Sequence, residues 1–521
     1  MIRNGTAGGA RARRRIGAVG IVAAVALLLS GCFPDLGGLF PKPEATSTPT
    51  GEQVSAELQP FYSQILGWKA CGEKLECSTA KAPLDWDDPS AGEIELALVR
   101  HRATGDRIGS LLVNPGGPGA SGVDLIADSL DFAVGQPLQE RFDVVGFDPR
   151  GVGKSSSVVC YDAAGMDEAL FTIPPGKRGS AEWIAASSKN FEDFGAACAE
   201  NTGELLGYVD TVSAARDLDL LRAVLGDTKL NYLGYSYGTF LGATFAGLYP
   251  EKVGRLVLDG AIDPAASEFE VSKAQAIGFE QALRAYMADC QSSADCPFSG
   301  DVDAGMAEVG ALAASLDASP LRGSDGRLVG ADTYLTAIIA ALYSPDSWSY
   351  LSQMFDSVML GDADMALTLA DFYYGRNPDG TYNDNSTEAF RAINCLDYPL
   401  RDGAGDLQAE AAEIIAAAPV IGPYWGYDTG GGCELWPVQG DATREQIHAE
   451  GAAPILVIGT TGDPATPYDW AVSLAEQLDS GVLVSYEGEG HTAYNKSNAC
   501  VNDAVEQYFI DGTVPASDPK C

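Results

Sequence analysis

A serine between two glycines is the residue pattern best suited to chemistry in this chain. Residues 230–250 read LNYLGYSYGTFLGATFAGLYP, with the pattern Gly-Tyr-Ser-Tyr-Gly at 234–238 between an apolar run and a segment rich in small residues. This order predicts a strand, a sharp turn and a helix, in which the glycines let the backbone bend tightly and expose the serine hydroxyl. Ser236 is therefore the candidate nucleophile. In a chain with 60 glycines the pattern alone is weak, and it needs support from other residues.

Asp463 and His491 supply the two other groups that serine chemistry requires. A serine hydroxyl becomes a good nucleophile when a base removes its proton and a carboxylate orients that base. Of the three histidines, His491 follows a predicted strand, whereas His101 stands between two arginines and His448 lies in a polar helical pattern. Asp463 also follows a predicted strand, at the end of a sheet where open α/β folds bind ligands. We predict attack by Ser236 with His491 as general acid–base, followed by hydrolysis of an acyl-enzyme.

A second glycine-rich segment follows an earlier predicted strand. The apolar residues 110–113 run into Asn-Pro-Gly-Gly-Pro-Gly at 114–119. Backbone N–H groups of such a loop can approach a substrate closely and stabilise the negative charge that develops on a carbonyl oxygen. The segment is either this oxyanion loop or a plain turn in a region dense in glycine and proline.

The elements around these residues predict an α/β fold. Short apolar or alternating segments alternate with helical patterns, which is typical of a doubly wound, mostly parallel sheet. Strands are expected at residues 93–101, 110–113, 141–147, 230–233, 253–258, 454–459 and 481–486, and helices at 211–225 and 468–478.

The rhythm of strands stops at about residue 265 and resumes after residue 450. The segment between them is rich in alanine and has a helical pattern. An insertion of this kind is either a cap that closes over the site and selects substrates or an independent helical domain. We divide the chain into a first core part (53–264), a cap (265–450) and a second core part (451–521).

The N-terminal region predicts export. Residues 1–31 combine several arginines with an apolar run too short to span a membrane, as in a signal peptide. They end in Leu-Ser-Gly before Cys32, an order that resembles the bacterial lipobox, in which the cysteine is acylated. The alternative is an ordinary cleavage site beside a chance cysteine. Residues 32–52, rich in proline, threonine and serine, predict a flexible linker.

Cysteine content agrees with an exported protein. An even number remains besides Cys32, which favours disulfides over metal or redox chemistry. Pairing of nearest neighbours is the expected scheme, because it closes short loops within local units. The expected pairs are Cys71–Cys77, Cys160–Cys198, Cys290–Cys296, Cys395–Cys433 and Cys500–Cys521.

Net charge and composition exclude some functions. The formal charge of -39 argues against a nucleic-acid partner, which requires a basic surface. Such a charge either favours substrates with a free amine or serves solubility alone. The sequence contains no metal-ligand cluster and no nucleotide-binding motif, so no metal and no cofactor is expected. It gives no indication of the oligomeric state.

Taken together, these motifs resemble the tripeptidyl aminopeptidase-like branch of the prolyl aminopeptidase family, which includes cell-envelope lipoproteins of high-GC Gram-positive bacteria. The carrying pieces are the loop at 114–119, the serine turn, LDGAIDP at 258–264, AINCLDYP at 392–399 and Gly-Asp-Pro-x-Thr-Pro at 462–467. The resemblance implies an α/β-hydrolase fold with the Ser236, Asp463 and His491 triad.

The resemblance also implies further site residues. The oxyanion donors would be the N–H groups of Gly117 and of Tyr237, the residue after the nucleophile. Family members hold the free amine of a peptide with acidic cap residues, for which Asp397 is a candidate, although a structural role beside Cys395 is the alternative. The pattern Asp-x-Arg-Gly-x-Gly-x-Ser at 148–155 is also a mark of α/β-hydrolases, and we assign its Asp and Arg to bracing loops.

Three functions remain open. The first is an exported, lipid-anchored serine aminopeptidase that releases short peptides, of tripeptidyl or prolyl type, from free N-termini outside the cytoplasm. The second is a carboxylesterase that uses the same triad on short acyl esters. The third is a surface binding protein on a hydrolase scaffold without catalysis, which the intact triad opposes.

Overall fold

A ten-stranded sheet forms the centre of the described part of the chain. The computed structural model describes residues 45–398, 407–427, 433–440 and 443–521. The predicted signal peptide and the lipidation site Cys32 lie outside the described residues, as does the larger part of the predicted linker.

The strands are numbered in chain order. They are β1 (Ala45–Thr46), β2 (Gly67–Gly72), β3 (Leu75–Pro83), β4 (Glu93–His101), β5 (Gly109–Asn114), β6 (Phe142–Phe147), β7 (Leu230–Tyr235), β8 (Val253–Asp259), β9 (Leu321–Arg322), β10 (Leu328–Val329), β11 (Ile455–Gly462) and β12 (Gly481–Glu489).

The helices are numbered in the same way. They are α1 (Gln59–Tyr62), α2 (Gly122–Ala133), α3 (Gln136–Arg141), α4 (Ala163–Phe171), α5 (Ala181–Thr202), α6 (Thr211–Leu225), α7 (Tyr237–Leu248), α8 (Glu268–Cys290), α9 (Val302–Ala318), α10 (Ala331–Leu342), α11 (Trp348–Met359), α12 (Asp364–Tyr374), α13 (Ser386–Asp397), α14 (Leu407–Ala417), α15 (Gly422–Trp425), α16 (Tyr468–Gln477) and α17 (Ala499–Asp511).

Strand order confirms the predicted α/β-hydrolase architecture. The large sheet has the order β1-β2-β3-β4-β6-β5-β7-β8-β11-β12. Strands β1 to β4 pair antiparallel, and β6-β5-β7-β8-β11-β12 form a continuous parallel block. Every strand that carries a candidate catalytic residue belongs to this block, so the loops after them open at the same edge of the sheet.

Side chains of the parallel strands alternate between two cores. On β7, Tyr232 is buried in the core that contains α6 and α7, whereas its neighbour Leu233 is buried in the core that contains α2, α3 and α17. On β8, Leu256 and Val257 alternate in the same way. This period of two in a strand with no polar face is the pattern of a sheet covered by helices on both sides.

The observed strands at the open edge are longer than predicted. β11 ends at Gly462 and β12 at Glu489, beyond the predicted ends at 459 and 486. The added residues are glycine, threonine and glutamate, which carry no apolar signal, but they pair in the sheet, with Gly462 opposite Glu489. Because β11 and β12 end side by side, Asp463 and His491 follow them at the same end of the sheet.

Helices α8 to α15 fill the segment between β8 and β11. Most of them share a third core, which also receives Phe171 from α4 and Ala465 from the loop after β11. Two features depart from the purely helical expectation. Strands β9 and β10 form a small antiparallel hairpin, and α13 packs Ala389, Ala392 and Ile393 into the core of the main sheet. The segment is thus anchored to the sheet at α13.

All five predicted disulfides are present, namely Cys71–Cys77, Cys160–Cys198, Cys290–Cys296, Cys395–Cys433 and Cys500–Cys521. In the part of the chain that the structure describes, no helix is long and apolar enough to cross a membrane.

Arg150 joins three segments beneath the sheet edge. Its guanidinium group is buried and donates two hydrogen bonds, of 2.7 and 2.8 Å, to the carboxylate of Asp217 on α6. It also donates to the carbonyl oxygens of Pro83, Leu84 and Tyr208. The guanidinium group thus donates to five acceptors and holds these segments together. This is the bracing role predicted for Arg150 from the sequence.

Candidate active site

Ser236 lies at a strained turn between β7 and α7. Its φ and ψ angles are 55° and -124°, a region that a residue with a side chain rarely adopts and that marks functional turns. Tyr235 and Tyr237 on either side are buried, whereas Ser236 is partly exposed. The turn therefore presents the serine above the sheet, as the sequence pattern predicts for a nucleophile elbow.

Close backbone contacts explain why glycines flank this turn. A Cβ atom on Gly234 would lie 2.3 Å from the carbonyl oxygen of Gly238. One on Gly238 would lie 2.8 Å from the Oδ1 atom of Asn114. Neither position has space for a side chain, so the two glycines permit the tight approach of strand, turn and helix.

His491 and Asp463 form a hydrogen-bonded pair. The Nδ1 atom of His491 lies 2.9 Å from both carboxylate oxygens of Asp463. The Asp463 side chain is fully buried and that of His491 is 11% exposed. When Nδ1–H donates to the carboxylate, Nε2 is the ring nitrogen left to accept a proton from a hydroxyl, which is the arrangement of a general base.

Thr466 and Thr492 fix the orientation of Asp463. The backbone N–H of Thr466 donates to Oδ1 at 2.9 Å and its hydroxyl donates to Oδ2 at 3.0 Å. The same hydroxyl lies 3.3 Å from His491 Nδ1, and the N–H of Thr492 donates to Oδ2 at 3.1 Å. The carboxylate is held in one position by several donors, so the imidazole that bonds to it is held as well.

Asp259 connects the serine turn with the histidine loop. Its carbonyl oxygen accepts a hydrogen bond of 2.9 Å from the N–H of Ser236. Its buried carboxylate accepts from the N–H groups of Ala493 and Tyr494 at 3.0 and 2.8 Å. Burial raises the pKa of this carboxyl, and the Tyr494 N–H and the charge of Lys496 oppose the rise. One residue at the end of β8 thereby positions both loops.

The next residue, Gly260, shows how near the two loops are. A Cβ atom on Gly260 would lie 3.3 Å from Cε1 of His491 and 3.0 Å from Oγ1 of Thr466. The backbone N–H of Ser236 is hydrogen-bonded to Asp259, the residue before Gly260. The serine, the imidazole of His491 and the carboxylate of Asp463 therefore converge on this point of the sheet edge.

The predicted oxyanion loop lies directly against the serine turn. Gly116 has a φ of +99°, and a Cβ atom there would lie 2.8 Å from Cβ of Ser236 and 3.1 Å from the nitrogen of Tyr237. The Oδ1 atom of Asn114 accepts the N–H of Gly116 at 3.0 Å and so fixes the start of the loop. Gly117 is exposed, and Tyr237 is the first residue of α7, where a helix provides no internal acceptor for N–H. Tyr237 thus follows Ser236 directly in the chain, and Gly117 follows Gly116, the loop residue that contacts Ser236.

A helix of the inserted segment contributes directly to the site. Tyr343, the residue after α10, accepts the backbone N–H of His491 through its carbonyl oxygen at 2.9 Å. Its ring packs edge-on against the imidazole, with 5.3 Å between centroids. Burial raises the pKa of the Tyr343 hydroxyl to about 12.

Asp397, the candidate for an amine contact, lies beneath the site. Its two carboxylate oxygens accept the N–H and the hydroxyl of Thr211, at 2.8 and 2.6 Å, at the start of α6. The Thr211 hydroxyl also contacts the hydroxyl of Tyr237. Burial raises the pKa of Asp397 to about 7. Asp397 thus reaches Tyr237, the second predicted oxyanion donor, through Thr211, and does not join the group formed by Ser236, His491 and Asp463.

The two other histidines lie elsewhere in the fold. His101 is on the antiparallel strand β4, paired with Val144 of β6, and burial lowers its pKa. His448 has Nδ1 3.0 Å from the carbonyl oxygen of Gln477. In the described residues, no group of three or more His, Cys, Asp or Glu side chains could hold a metal ion.

Four residues that shape the site have no role that the sequence predicts. Thr466 and Asp259 stand inside motifs that carried the family resemblance, Gly-Asp-Pro-x-Thr-Pro and LDGAIDP, so their positions were visible but their contacts were not. Asn114 is visible in the sequence only as the first residue of the glycine-rich loop at 114–119. Tyr343 had no signal, because it reaches His491 only through the packing of the inserted helices.

The chain is similar to several known proteins. Residues 418–521 match the family described as TAP-like protein. Over 513 residues the chain is 37% identical to "Serine protease Hip1" of Mycobacterium tuberculosis, covering 96% of both chains. It is also 37% identical to "Carboxylesterase B" of the same species over 514 residues, covering 95% of this chain and 96% of that protein. It is 29% identical to "Tripeptidyl aminopeptidase" of Streptomyces lividans, covering 88% of this chain and 86% of that protein.

Proposed function

The chain belongs to the TAP-like family of α/β-hydrolases and is a serine hydrolase, and on this basis we propose that it is an exported aminopeptidase that removes short peptides from free N-termini. The observation that carries the proposal is the convergence of Ser236, His491 and Asp463 at one sheet edge, with Gly116 of the glycine-rich loop packed against the serine. Acyl transfer needs a nucleophile, a base and an oxyanion site in this relation.

The proposed reaction has two steps. Nε2 of His491 removes the proton of Ser236 while Oγ attacks the carbonyl carbon, and the N–H groups of Gly117 and Tyr237 stabilise the oxyanion. The imidazolium, stabilised by Asp463, returns the proton to the leaving amine as the C–N bond breaks and an acyl-serine ester remains. Water, deprotonated by the same imidazole, then hydrolyses the ester and restores the serine.

A peptide substrate with a free amine has two lines of support. Two of the three relatives compared above carry the names of peptidases. The formal charge of -39 attracts a cationic N-terminus where the field is focused in a cleft. Short acyl esters are the second candidate substrate, supported by the relative named carboxylesterase.

Export and anchoring are part of the proposal. Five disulfides favour an oxidising compartment. The order Leu-Ser-Gly-Cys at 29–32 supports acylation of Cys32 and attachment to the outer face of the cell membrane. A palmitate analogue fed to expressing cells should label the wild-type chain and not Cys32→Ala, and equal labelling of both would overturn the anchor.

One set of assays distinguishes the substrates. The wild-type chain and Ser236→Ala are compared on a free-amine tripeptidyl anilide, on its N-acetylated form and on a short-chain p-nitrophenyl ester. We expect the wild type to cleave the free-amine peptide at least tenfold better than the acetylated one, and Ser236→Ala to cleave neither. Cleavage of the ester alone would replace the aminopeptidase by a carboxylesterase. No labelling of the wild type by a fluorophosphonate would reject serine catalysis itself.

A further inference from the structure

Lys496 turns its charge toward the interior of the protein. The residue is exposed overall, yet its Nζ atom donates a hydrogen bond of 2.5 Å to Oγ1 of Thr492, which is buried. Nζ also lies 4.9 Å from the ring centroid of Tyr235 and 4.8 Å from that of Phe132. Lysine side chains normally bury their methylene groups and extend the ammonium group into water. Here the orientation is reversed.

The ammonium group is directed toward the candidate catalytic pair through Thr492. The Thr492 hydroxyl donates to the carbonyl oxygen of His491 at 2.6 Å, and its N–H donates to Asp463 at 3.1 Å. The Thr492 backbone has a positive φ of 65°, a conformation that a β-branched residue adopts only when its surroundings require it. Lys496 therefore bonds to the residue that links histidine and carboxylate.

Two buried carboxylates stand behind His491. Asp463 bonds to the imidazole, and Asp259 holds the two residues that follow Thr492. Burial lowers the pKa of Lys496, and the charges of Asp259 and Asp463 oppose that lowering. Burial raises the pKa of Asp259, and the Tyr494 N–H and the charge of Lys496 oppose that rise.

We propose that Lys496 is a positioning residue that offsets the negative charge of Asp259 and Asp463 and thereby keeps His491 neutral before the reaction. This inference rests on the proposed serine hydrolysis. Two carboxylates near one imidazole favour its protonated form, and a protonated imidazole cannot accept the proton of Ser236. A nearby cation opposes that protonation and extends activity to lower pH.

The groups that face this cluster come from several elements. Lys496 is faced by the rings of Phe132 on α2 and Tyr235 on β7, by Asp259 at the end of β8 and by Asp463 after β11. His491 is faced by Asp463, by the Thr466 hydroxyl and by the ring of Tyr343. The hydroxyl of Tyr235 donates to the carbonyl oxygen of Ala133, and burial raises the pKa of Tyr343 to about 12, so neither tyrosine titrates in the range of the imidazole.

The test is the pH dependence of Ser236 reactivity in Lys496→Met and Lys496→Arg. The rate of labelling by a fluorophosphonate reads the activation of the serine whatever the natural substrate is, and it falls at acidic pH as His491 becomes protonated. Without the cation the two carboxylates should favour the protonated imidazole, so the acidic limb of Lys496→Met should move to higher pH by about one unit. Lys496→Arg should retain the wild-type limb. Lys189→Met, which removes an exposed lysine on α5, is the matched control and should leave it unchanged.

The outcomes separate this inference from a structural role and from the proposed function. A uniform loss of labelling in Lys496→Met at every pH, with the limb unmoved, overturns the inference and leaves serine hydrolysis intact. If Lys496→Met does not fold, Lys496→Gln gives the same comparison with an uncharged side chain that has N–H groups to donate to Thr492. A wild-type chain that the reagent does not label overturns both the proposed function and the inference.

Discussion

The carbonyl oxygen of Tyr343 accepts the backbone N–H of His491 at 2.9 Å, and the Tyr343 ring packs edge-on against the imidazole. Tyr343 belongs to the inserted segment, so that segment forms part of the candidate catalytic machinery. Tyr343→Ala should remove the ring that fixes the imidazole plane and lower kcat about tenfold with a smaller change in KM. Tyr343→Phe keeps the ring and should retain most of the activity. Equal kcat values for Tyr343→Ala and the wild type, on either assay substrate, would contradict the positioning role.

Gly116 should tolerate no side chain. Alanine there would place Cβ 2.8 Å from Cβ of Ser236 and 2.5 Å from the carbonyl oxygen of Tyr235, at a φ of +99°. We expect Gly116→Ala to lower kcat by about a hundredfold, the range observed when an oxyanion donor is lost. Gly326→Ala is the control, because Gly326 has a φ of +94° but no atom within 4 Å of a Cβ. Steady-state kinetics of the two variants distinguish the steric clash of the added Cβ with Ser236 and Tyr235 from the effect of backbone strain alone. Full activity of Gly116→Ala would show that the glycine-rich loop does not lie close to Ser236.

Thr466 should affect the rate through Asp463. Thr466→Val removes the hydroxyl that donates to Asp463 at 3.0 Å and lies 3.3 Å from His491, while it keeps the shape and the backbone N–H donor. We expect kcat/KM to fall about tenfold, as for other groups that orient a catalytic residue. Thr466→Ser retains the hydroxyl and should restore the rate. If kcat/KM of Thr466→Ser is no higher than that of Thr466→Val, the loss is caused by altered packing and not by the missing hydroxyl.

Arg150 should affect stability more than activity. Arg150→Met leaves the buried Asp217 carboxylate without its bidentate partner, and removal of one partner of a buried ion pair costs about 3–5 kcal/mol. Arg216→Met breaks a pair whose Asp87 side chain is 85% exposed and should cost less than about 1 kcal/mol. Urea unfolding followed by tryptophan fluorescence gives both free energies. Equal losses in the two variants would show that burial of the Arg150 pair has no energetic consequence.

Asp397 should make the fold less stable as the pH rises. Its pKa is about 7 in the folded chain and about 3.9 in an unfolded one, so the folded state binds the proton more tightly. The stability that this proton provides is complete below about pH 4 and is lost as the pH rises to 7. At about 1.4 kcal/mol for each pKa unit, the loss is on the order of 3–4 kcal/mol.

Asp397→Asn should remove that pH dependence. The measurement is the free energy of unfolding in urea at pH 4.5 and 7.5 for the wild type, for Asp397→Asn and for Glu57→Gln, which changes an exposed carboxylate. We expect the wild type and Glu57→Gln to lose stability between the two pH values and Asp397→Asn to lose several kcal/mol less. A parallel loss in all three chains would mean that Asp397 is ionised throughout.

Local patterns were sufficient to predict the fold class and the main strands. The alternation in residues 93–101 and the apolar runs before Ser236 and Asp463 each specify a strand by their own side chains. The strand ends were predicted too short, because their final residues are polar or glycine and are held by pairing with a neighbouring strand. The hairpin of β9 and β10 was not predicted, since two residues in each strand give no periodicity.

The sequence by itself determined which residues could do chemistry. A serine between close-packed glycines, and an aspartate and a histidine each after a strand, are local features that keep their meaning wherever the strands lie. The ten cysteines likewise pair with near neighbours, where loop closure requires little entropy.

Only the tertiary structure decided how those residues are held. Asp259 bonds to both Ser236 and the loop of His491, Tyr343 reaches His491 from the inserted helices, and Asp397 turns to Thr211 instead of facing the triad. Except for the bond between Ser236 and Asp259, these contacts join residues more than a hundred positions apart, and no local propensity encodes them. They depend on the packing of three cores against one sheet, which fixes distances that separate stretches of sequence cannot specify.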